Sequence, residues 1–499
     1  MSMRGLSTPI TFLRREVFKH VAKAAFEDWT IDEIDQIPHE IITGDTPTYR
    51  ESIDREKRII RSRVRMAMNI DLDDETSSDY KQHVDLDALK TKVVSKELMS
   101  VIPSACEACP EKSYFVSNSC HGCLAHPCVS VCPVGATFFE NGHSFIDQTK
   151  CIKCGKCYDV CPYGSINKNE RPCNAACGVN AFTKDEHDRA VIVSDKCVAC
   201  GMCMVSCPFG AIMDHSEIYQ LSNELKNNQH ISAIIAPAFV GQFGDKVKPE
   251  QVLVGLYKLG FSDIKEVALG ADITAVEEAK EYVENVPEKQ PYMITSCCPA
   301  YKTLAFQELK DHPEYVSNAY SPMIEAAKIV RSRNPETKVV FIGPCSAKKL
   351  EAAHHNVPEY VDYVLTFEET NAMFEARDID LSTLTTDMVL NDASLDGRGF
   401  AVSGGVLAAV NHCIQQLDPN KDIKVEKAES LANCKKMLML AKAGKFPGYL
   451  LEGMACPGGC IGGAGTLINQ AKAAGKVKLF STQSEMKSAF EAVEKIEQH

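Results

Sequence analysis

Cys151-Ile152-Lys153-Cys154-Gly155-Lys156-Cys157-Tyr158-Asp159-Val160-Cys161-Pro162 is one copy of a pattern that recurs as Cys197-Val198-Ala199-Cys200-Gly201-Met202-Cys203-Met204-Val205-Ser206-Cys207-Pro208. Both read Cys-x2-Cys-x2-Cys-x3-Cys-Pro. A looser copy runs through Cys120, Cys123, Cys128 and Cys132 before Pro133, and a broken one ends at Cys173 and Cys177. The missing Cys-x2-Cys of the broken copy is available upstream as Cys106 and Cys109. After each last cysteine the text repeats again, as Pro133-Val134-Gly135-Ala136, Pro162-Tyr163-Gly164-Ser165 and Pro208-Phe209-Gly210-Ala211; the broken copy has Gly178-Val179-Asn180-Ala181. Three thiolates two residues apart wrap one corner of an iron–sulfur cube, and the fourth, ahead of proline, reaches the other cube of a pair. That crossed rule gives Cys120, Cys123, Cys128 with Cys161, and Cys151, Cys154, Cys157 with Cys132. It also gives Cys197, Cys200, Cys203 with Cys177, and Cys106, Cys109, Cys173 with Cys207. All sixteen thiols are used, which predicts four 4Fe-4S clusters, with one two-cluster unit inserted into the broken half of another. Structural zinc is the alternative, but zinc knuckles need two pairs rather than triplets closed by Cys-Pro. A c-type haem is excluded because no Cys-x2-Cys is followed by His.

Around this stretch the chain has ordinary globular composition. It has 499 residues, 45% hydrophobic and 24% charged, enough for about three domains of ~150 residues. Sixteen of its 23 Cys lie between Cys106 and Cys207, the first 105 residues have none, and seven are scattered from Cys297 on. The net charge of −13 and the lack of a Lys/Arg block leave no footprint for nucleic acid. No apolar run reaches the ~18 residues of a membrane span. The opening Met1-Ser2-Met3-Arg4-Gly5 leads into a polar segment, not a secretory apolar stretch. Arg14-Arg15 near Phe18 weakly resembles a twin-arginine signal. The competing reading is a helix over Thr11–Ala25 with Phe12, Val17, Phe18, Val21 and Ala25 on one face. The expected compartment is a reducing cytoplasm, which keeps thiolates available for metal.

From about Ile231 the pattern changes to short apolar runs alternating with helical stretches. Ile231–Ala236, Glu266–Leu269, Tyr292–Thr295, Val339–Ile342 and Tyr449–Leu451 read as buried strands. Thr274–Glu284, Ser321–Arg331, Val406–Gln416 and Ala428–Lys442 read as helices. The alternation predicts an α/β region with mostly parallel sheet. Three cysteine motifs follow such strands: Thr295-Ser296-Cys297-Cys298-Pro299, Gly343-Pro344-Cys345-Ser346-Ala347-Lys348-Lys349-Leu350-Glu351 and Glu452-Gly453-Met454-Ala455-Cys456-Pro457-Gly458-Gly459-Cys460. In open α/β sheets the carboxyl ends of strands form the ligand crevice. Three distant thiol loops could therefore meet on one metal site, with Gly458, Gly459, Gly462 and Gly463 letting backbone approach a bulky cofactor.

These three loops resemble the signature loops of FeFe hydrogenases, which hold the H-cluster. Together with the cysteine-rich middle the likeness covers about residues 100 to 470. The head, with Thr8-Pro9-Ile10-Thr11 and Thr46-Pro47-Thr48-Tyr49-Arg50, resembles the monomeric group B branch. The resemblance implies a helical N-terminal extension (1–100), α+β ferredoxin-like domains with up to four 4Fe-4S clusters (101–218) and an α/β H-cluster domain of two lobes with parallel sheets flanked by helices (228–499). It implies that Cys298, Cys345, Cys456 and Cys460 ligate a 4Fe-4S cubane, and that Cys460 bridges to a two-iron subcluster carrying CO, cyanide and azadithiolate. Lys348 would hydrogen-bond a cyanide, Met454 and Pro237 would line the pocket, and Cys297 would relay protons through Glu278, Ser317 and Glu281. Four positions depart from the family pattern: Gly343 stands where the family usually has Met, Ala236 where many members have Ser, Tyr301 where Trp is usual, and Ala464 inside a glycine run.

The remaining residues have plainer readings. Cys413 and Cys434 lie on helical stretches without partners and read as inert buried thiols. His121 and His126 flank cluster cysteines and are read as potential-tuning residues or as solvent-facing loop residues. Glu277 and Glu278 read as a solvated helix face or, for Glu278, as the relay. The leading expectation is reversible reduction of protons to H₂, with ferredoxin or flavodoxin as carrier and dedicated maturases supplying the two-iron unit. Lys153, Lys156, Lys168 and Arg171 are candidates for a basic dock, against scattered solubilising charge. Alternatives are a low-turnover hydrogen sensor and a non-catalytic hydrogenase-like assembly protein. No nicotinamide fingerprint is present, since Gly458-Gly459-Cys460-Ile461-Gly462-Gly463 contains a thiol and no acidic residue closes a dinucleotide unit.

Overall fold

A computed structural model describes residues 6–72, 85–91, 97–227, 230–353, 360–388 and 390–497; Met1–Gly5 lies outside them. The head is helical. Pro9–Phe26 is capped by Thr8, whose side chain accepts from the Thr11 amide while Thr11 Oγ1 accepts from the Thr8 amide. Val17, Phe18, Val21 and Ala25 are buried as the periodicity predicts, but Phe12 is exposed because the helix turns that flank outward. Arg14 and Arg15 both pair with Glu368, on the helix Phe367–Ala376 of the C-terminal part. The arginine pair is thus an internal tie between the head and the α/β region. The second long helix of the head, Ile53–Ala67, packs on the first.

Between the head and the α/β region, four short antiparallel pairings are nested. Met99–Val101 pairs with Ile212–Asp214, and inside that span Ser113–Val116 pairs with Ile166–Asn169. Hairpins Thr137–Glu140/His143–Ile146 and Phe182–Lys184/Ala190–Ile192 complete the two units. One unit is therefore inserted into the other, and the outer one begins at Met99.

The C-terminal part holds two parallel sheets. The first has the order Asp263–Glu266, Ile231–Ile235, Lys338–Gly343, Tyr363–Thr366. The second has the order Tyr292–Ile294, Tyr449–Met454, Lys424–Glu429. Central strands such as Ile231–Ile235 are buried on both faces, as parallel strands covered by helices must be. Two boundaries differ from the sequence reading. The apolar run Val267–Leu269 starts the helix Val267–Asn285, while the strand is the less apolar Asp263–Glu266 before it. Ala428 and Glu429 end a strand, and the following helix starts at Leu431.

Buried charge pins these parts together. The Arg398 guanidinium donates two bonds to Glu266, at 2.9 and 2.6 Å, in a fork geometry. Lys349 donates to Asp214 Oδ2, to the His215 carbonyl and to Glu369 Oε1, each at 2.8 Å. It joins the outer iron–sulfur unit to the first sheet's helices. Burial works against its charge, but Asp214 and Glu369 more than compensate and hold the ammonium above its usual range. Replacing Lys349 with Met strands two carboxylates, so chemical denaturation of Lys349→Met is expected to show a loss of about 3–5 kcal/mol.

Candidate active site

The cysteine loops are shaped by backbone geometry that repeats. The second spacer of the first Cys-x2-Cys in each copy has positive φ: Ala108 (44°), Gly122 (57°), Lys153 (56°) and Ala199 (48°). Cys106-Glu107-Ala108-Cys109 therefore has the same turn as the three intact copies. The residue three after each Cys-Pro-type cysteine is also left-handed: Gly135 (59°), Gly164 (60°) and Gly210 (60°), with Asn180 (52°) in the broken copy. That turn aims the next amide back at sulfur. Ala136 donates to Cys132 Sγ at 3.2 Å, Ala181 to Cys177 at 3.3 Å and Ala211 to Cys207 at 3.4 Å. Amides on thiolates favour the charged form. At Cys132, burial opposes them, but the amides of Val134, Thr137 and Ala136 bring the thiol below its usual range.

The thiols collect around separate small cavities. Cys106, Cys109, Cys173 and Cys207 line one, Cys177, Cys197, Cys200 and Cys203 a second, and Cys132, Cys151, Cys154 and Cys157 a third. Cys128 and Cys161 pack in one cluster with Tyr114 and Ile166. Among the described residues, no three His, Cys, Asp or Glu side chains close on a single metal ion. Soft thiols around cavities of this kind suit iron–sulfur clusters, whose four sulfur ligands go to different iron corners.

A larger cavity, about 80 Å³, lies where the C-terminal edges of the two parallel sheets meet. Pro237 and Cys345 reach it from the first sheet; Cys297, Cys298, Met454, Cys456 and Cys460 reach it from the second. Its wall is otherwise largely apolar, with Ala236, Phe341 and Phe400, and Lys348 is the one charged side chain in it. Burial pushes the Cys345 thiol up, its neighbours Cys456, Cys298 and Cys460 add to this, and Lys348 works against them. The four thiols thus line one largely apolar cavity, a donor set that fits an iron–sulfur cube. Gly459 and Gly463 line the cavity too, but a Cβ on them would strike backbone of Ala401–Ser403 and of Pro344. These glycines are required first for loop-on-loop packing. At Gly343 a Cβ would lie 2.5 Å from the Phe341 ring, which fills that part of the wall.

Lys348 has three donors. Two go to Ser321 Oγ at 2.8 Å and Glu351 Oε2 at 2.6 Å. Burial disfavours the charge, but Glu351 outweighs it and keeps the ammonium above its usual range. Cys200 lines both this cavity and that of Cys177, Cys197 and Cys203. Ser346, next to Cys345, donates to the Ala199 carbonyl at 2.9 Å, so the two thiol loops touch.

On the other side of Cys297 lies a buried carboxyl. Glu278 Oε1 accepts from the Ser296 amide at 2.6 Å and from its hydroxyl at 2.8 Å, while Oε2 has no partner among the described residues. Burial raises this carboxyl from 4.5 to about 7. Burial, then Glu278, push the Cys297 thiol well up, so it stays protonated. Further out, Ser317 donates to Glu281 Oε2 at 2.6 Å, and Asn318 donates to the same carboxylate. Glu278 and Glu281 are three apart on the helix Val267–Asn285 and share a face. Ser296 and Ser321 escaped the sequence reading. Each is a hydroxyl beside a motif or a helix start, a signal too common to single out.

The dock residues fare unevenly. Arg171 is 8% exposed and donates to the Cys109 and Asp188 carbonyls, so it braces a cluster loop and is withdrawn as a dock. Lys153 pairs with Glu111 and Lys168 with Glu170. Cys413 and Cys434 are buried, as expected of inert thiols.

Comparison with known proteins places two kinds of domain on the chain. Residues 229–464 match the iron only hydrogenase large subunit, C-terminal domain. Residues 119–166 and 150–211 match 4Fe-4S dicluster domains; the second match joins two intact sequence copies that the nested pairing assigns to different units. The periplasmic Fe hydrogenase large subunit of Nitratidesulfovibrio vulgaris is 26% identical over 372 residues, 64% of this chain and 85% of that one. Iron hydrogenase 1 of Clostridium pasteurianum is 26% identical over 377 residues, so the chain spans 64% of it, a little under two thirds. The nuclear prelamin A recognition factor of Homo sapiens is 26% identical over 309 residues, half of this chain and 68% of that one. A solved FeFe hydrogenase variant from Chlamydomonas reinhardtii superposes with a TM-score of 0.45 at 21% identity, over 54% of this chain and 89% of that one. With 4Fe-4S dicluster domains leading into an iron-only hydrogenase C-terminal domain, the chain is an FeFe hydrogenase-like protein.

Proposed function

We propose that the protein is a hydrogenase that interconverts two protons and two electrons with H₂. The observation that carries this reading is the single dry cavity faced by Cys298, Cys345, Cys456 and Cys460, with Lys348 and the free thiol of Cys297 in its wall. Cys298, Cys345, Cys456 and Cys460 would hold the 4Fe-4S part of an H-cluster, and Cys460 would also serve its two-iron part, which carries CO, cyanide and azadithiolate. When bound, that H-cluster supplies the redox centre at which protons and electrons meet. The two sheets are then the two lobes of the H-cluster domain, and four further cubes form the electron relay. Ferredoxin or flavodoxin is the proposed carrier, maturases supply the two-iron unit, and the proposed compartment is cytoplasmic; no described helix is long and apolar enough to cross a membrane.

In this reading the chain's residues divide the work. Lys348 offers its third donor to an anionic ligand in a water-poor cavity, where such a bond is strong. Cys297 carries a proton at the cavity wall. Glu278, placed near 7 by burial, can both accept and release it at neutral pH. Ser296 fixes Oε1 and leaves Oε2 free to face the next carrier. Ser317 and Glu281 form the outer step towards solvent. Cys200, in the wall shared by two cavities, marks where electrons enter.

A low-turnover, sensing reading draws on one feature: at Ala236, and at Phe341 packed over Gly343, the cavity wall offers no polar side chain. Hydrogen evolution after maturation with the two-iron unit separates the readings. A robust rate supports the enzyme, a trace rate the sensor, and failure to take up the unit an assembly role. In the enzyme, Glu278→Gln is expected to keep full iron content and lose about 10²–10⁴-fold in rate, while Glu277→Gln stays near wild type. Glu278 also leaves a stability signature. Between pH 4.5 and about 7 the folded chain holds a proton there that the unfolded chain has released, so stability falls as pH rises through that window. Denaturation midpoints of Glu278→Gln across this range are expected to show a flatter pH slope than wild type.

A further inference from the structure

The N-terminal head has no part in the site above, yet both of its sequence motifs converge on one cluster loop. The chain contains an internal comparison. Gly135, Gly164 and Gly210 occupy the same turn after a Cys-Pro, with φ near 60°. A Cβ on Gly135 or Gly164 meets nothing within 4 Å, whereas on Gly210 it meets Arg63 Nη2 at 2.6 Å and Ile10 Cγ2 at 2.7 Å. Of these three turns, among the described residues, the one beside Cys207 is covered, and the head covers it. Ile10 belongs to Thr8-Pro9-Ile10-Thr11. The other motif, Thr46-Pro47-Thr48-Tyr49-Arg50, is folded around buried Glu56, which accepts the amides of Thr48, Tyr49 and Arg50 at 2.7, 2.5 and 2.8 Å.

That arrangement delivers three arginines to the rim of the Cys106/Cys109/Cys173/Cys207 cavity. Arg63, 3% exposed, donates to the Gly210 carbonyl at 2.5 Å. Arg50 donates to the carbonyls of Ala105 and Phe209 at 3.3 and 3.2 Å. Arg55 donates to the Ser104 carbonyl at 2.7 Å and to Glu107 at 2.8 Å. Arg171 reaches the same cavity from the iron–sulfur part itself. The acidic groups nearby are Glu107, paired with Arg50 and Arg55, Glu51, paired with Arg55, and Glu56. Arg63 has no carboxylate partner among the described residues, and Arg14, the like charge that acts on it most strongly, shares Glu368 with Arg15. Burial lowers the Arg63 guanidinium to about 10, so it stays cationic at neutral pH.

We infer that the head is a cationic clamp: Arg63, with Arg50 and Arg55 as positioning residues, raises the reduction potential of a 4Fe-4S cluster held by Cys106, Cys109, Cys173 and Cys207. The inference rests on the proposal that these four thiols hold such a cluster. A cube with four thiolates is anionic and gains negative charge on reduction, so a fixed buried cation favours the reduced state. This cluster then holds an electron more tightly than it would without the head.

The test is a potentiometric titration of the full-length reconstituted protein, followed by electron paramagnetic resonance, with iron content measured alongside. Cys109→Ser identifies the signal; if it removes no signal and no iron, the cluster reading fails and the clamp with it. Arg63→Gln is expected to move that one signal to a more negative potential, leave the others in place and keep the iron content. Arg63→Lys is expected to restore most of the shift, and the more exposed Arg55→Gln to give a smaller shift in the same direction, a readout available even if Arg63→Gln fails to fold. An unmoved signal in either Gln variant, or equal shifts in Arg63→Gln and Arg63→Lys, overturns the clamp while leaving the cluster in place.

Discussion

Four sulfur atoms from three distant loops must meet in a space that excludes water, and this constraint organises the chain. Thiols so placed raise one another's pKa and are costly to bury. Parallel sheets solve the positional part, because every strand delivers its loop to the same edge. Lys338–Gly343 delivers Cys345, Tyr292–Ile294 delivers Cys297 and Cys298, and Tyr449–Met454 delivers Cys456 and Cys460. Close backbone packing supplies the dryness. Gly463 lies against Pro344, Gly459 against Ala401–Ser403, and Gly453 under the buried Tyr301 ring.

The same economy governs the buried charges. Each stands where two parts of the chain must be held at fixed distance. Glu452 is fully buried behind the cavity and accepts the Gly404 and Leu407 amides at the start of the helix Gly405–Leu417. A carboxylate at a helix N-terminus is favourably placed. Glu278 differs from Glu452 in having, among the described residues, one oxygen without a partner. Glu224 shares that feature, and what sets Glu278 apart is its place beside Cys297.

The cysteine arithmetic was legible because thiol spacing is a local geometric code. The triplets, the crossed fourth cysteine and the pairing of Cys106 and Cys109 with Cys173 and Cys207 are grouped by the cavities as the spacing implied, for three of the four sets. Apolar strands such as Ile231–Ile235 and Lys338–Gly343 were legible too, though Tyr363–Thr366, equally buried, was passed over. Lys424–Glu429 was not, since this exposed edge strand carries charge at most positions. Asp263–Glu266 was hidden by the apolar helix start that follows it. Arg171 looked like a surface charge because nothing in a sequence tells a guanidinium that braces two carbonyls from one in solvent. The roles of Ser296, Ser321 and Arg63 depend on contacts across 18, 27 and 147 residues, which no local pattern encodes.

Metal identity and position decide the central claim most directly. An anomalous difference map collected at the iron edge, on crystals of anaerobically reconstituted protein, is expected to place a compact iron peak among the sulfurs of residues 298, 345, 456 and 460, about one cluster's length from a second peak beside Cys200. A zinc signal there, or four sulfurs with no shared metal, would contradict the account.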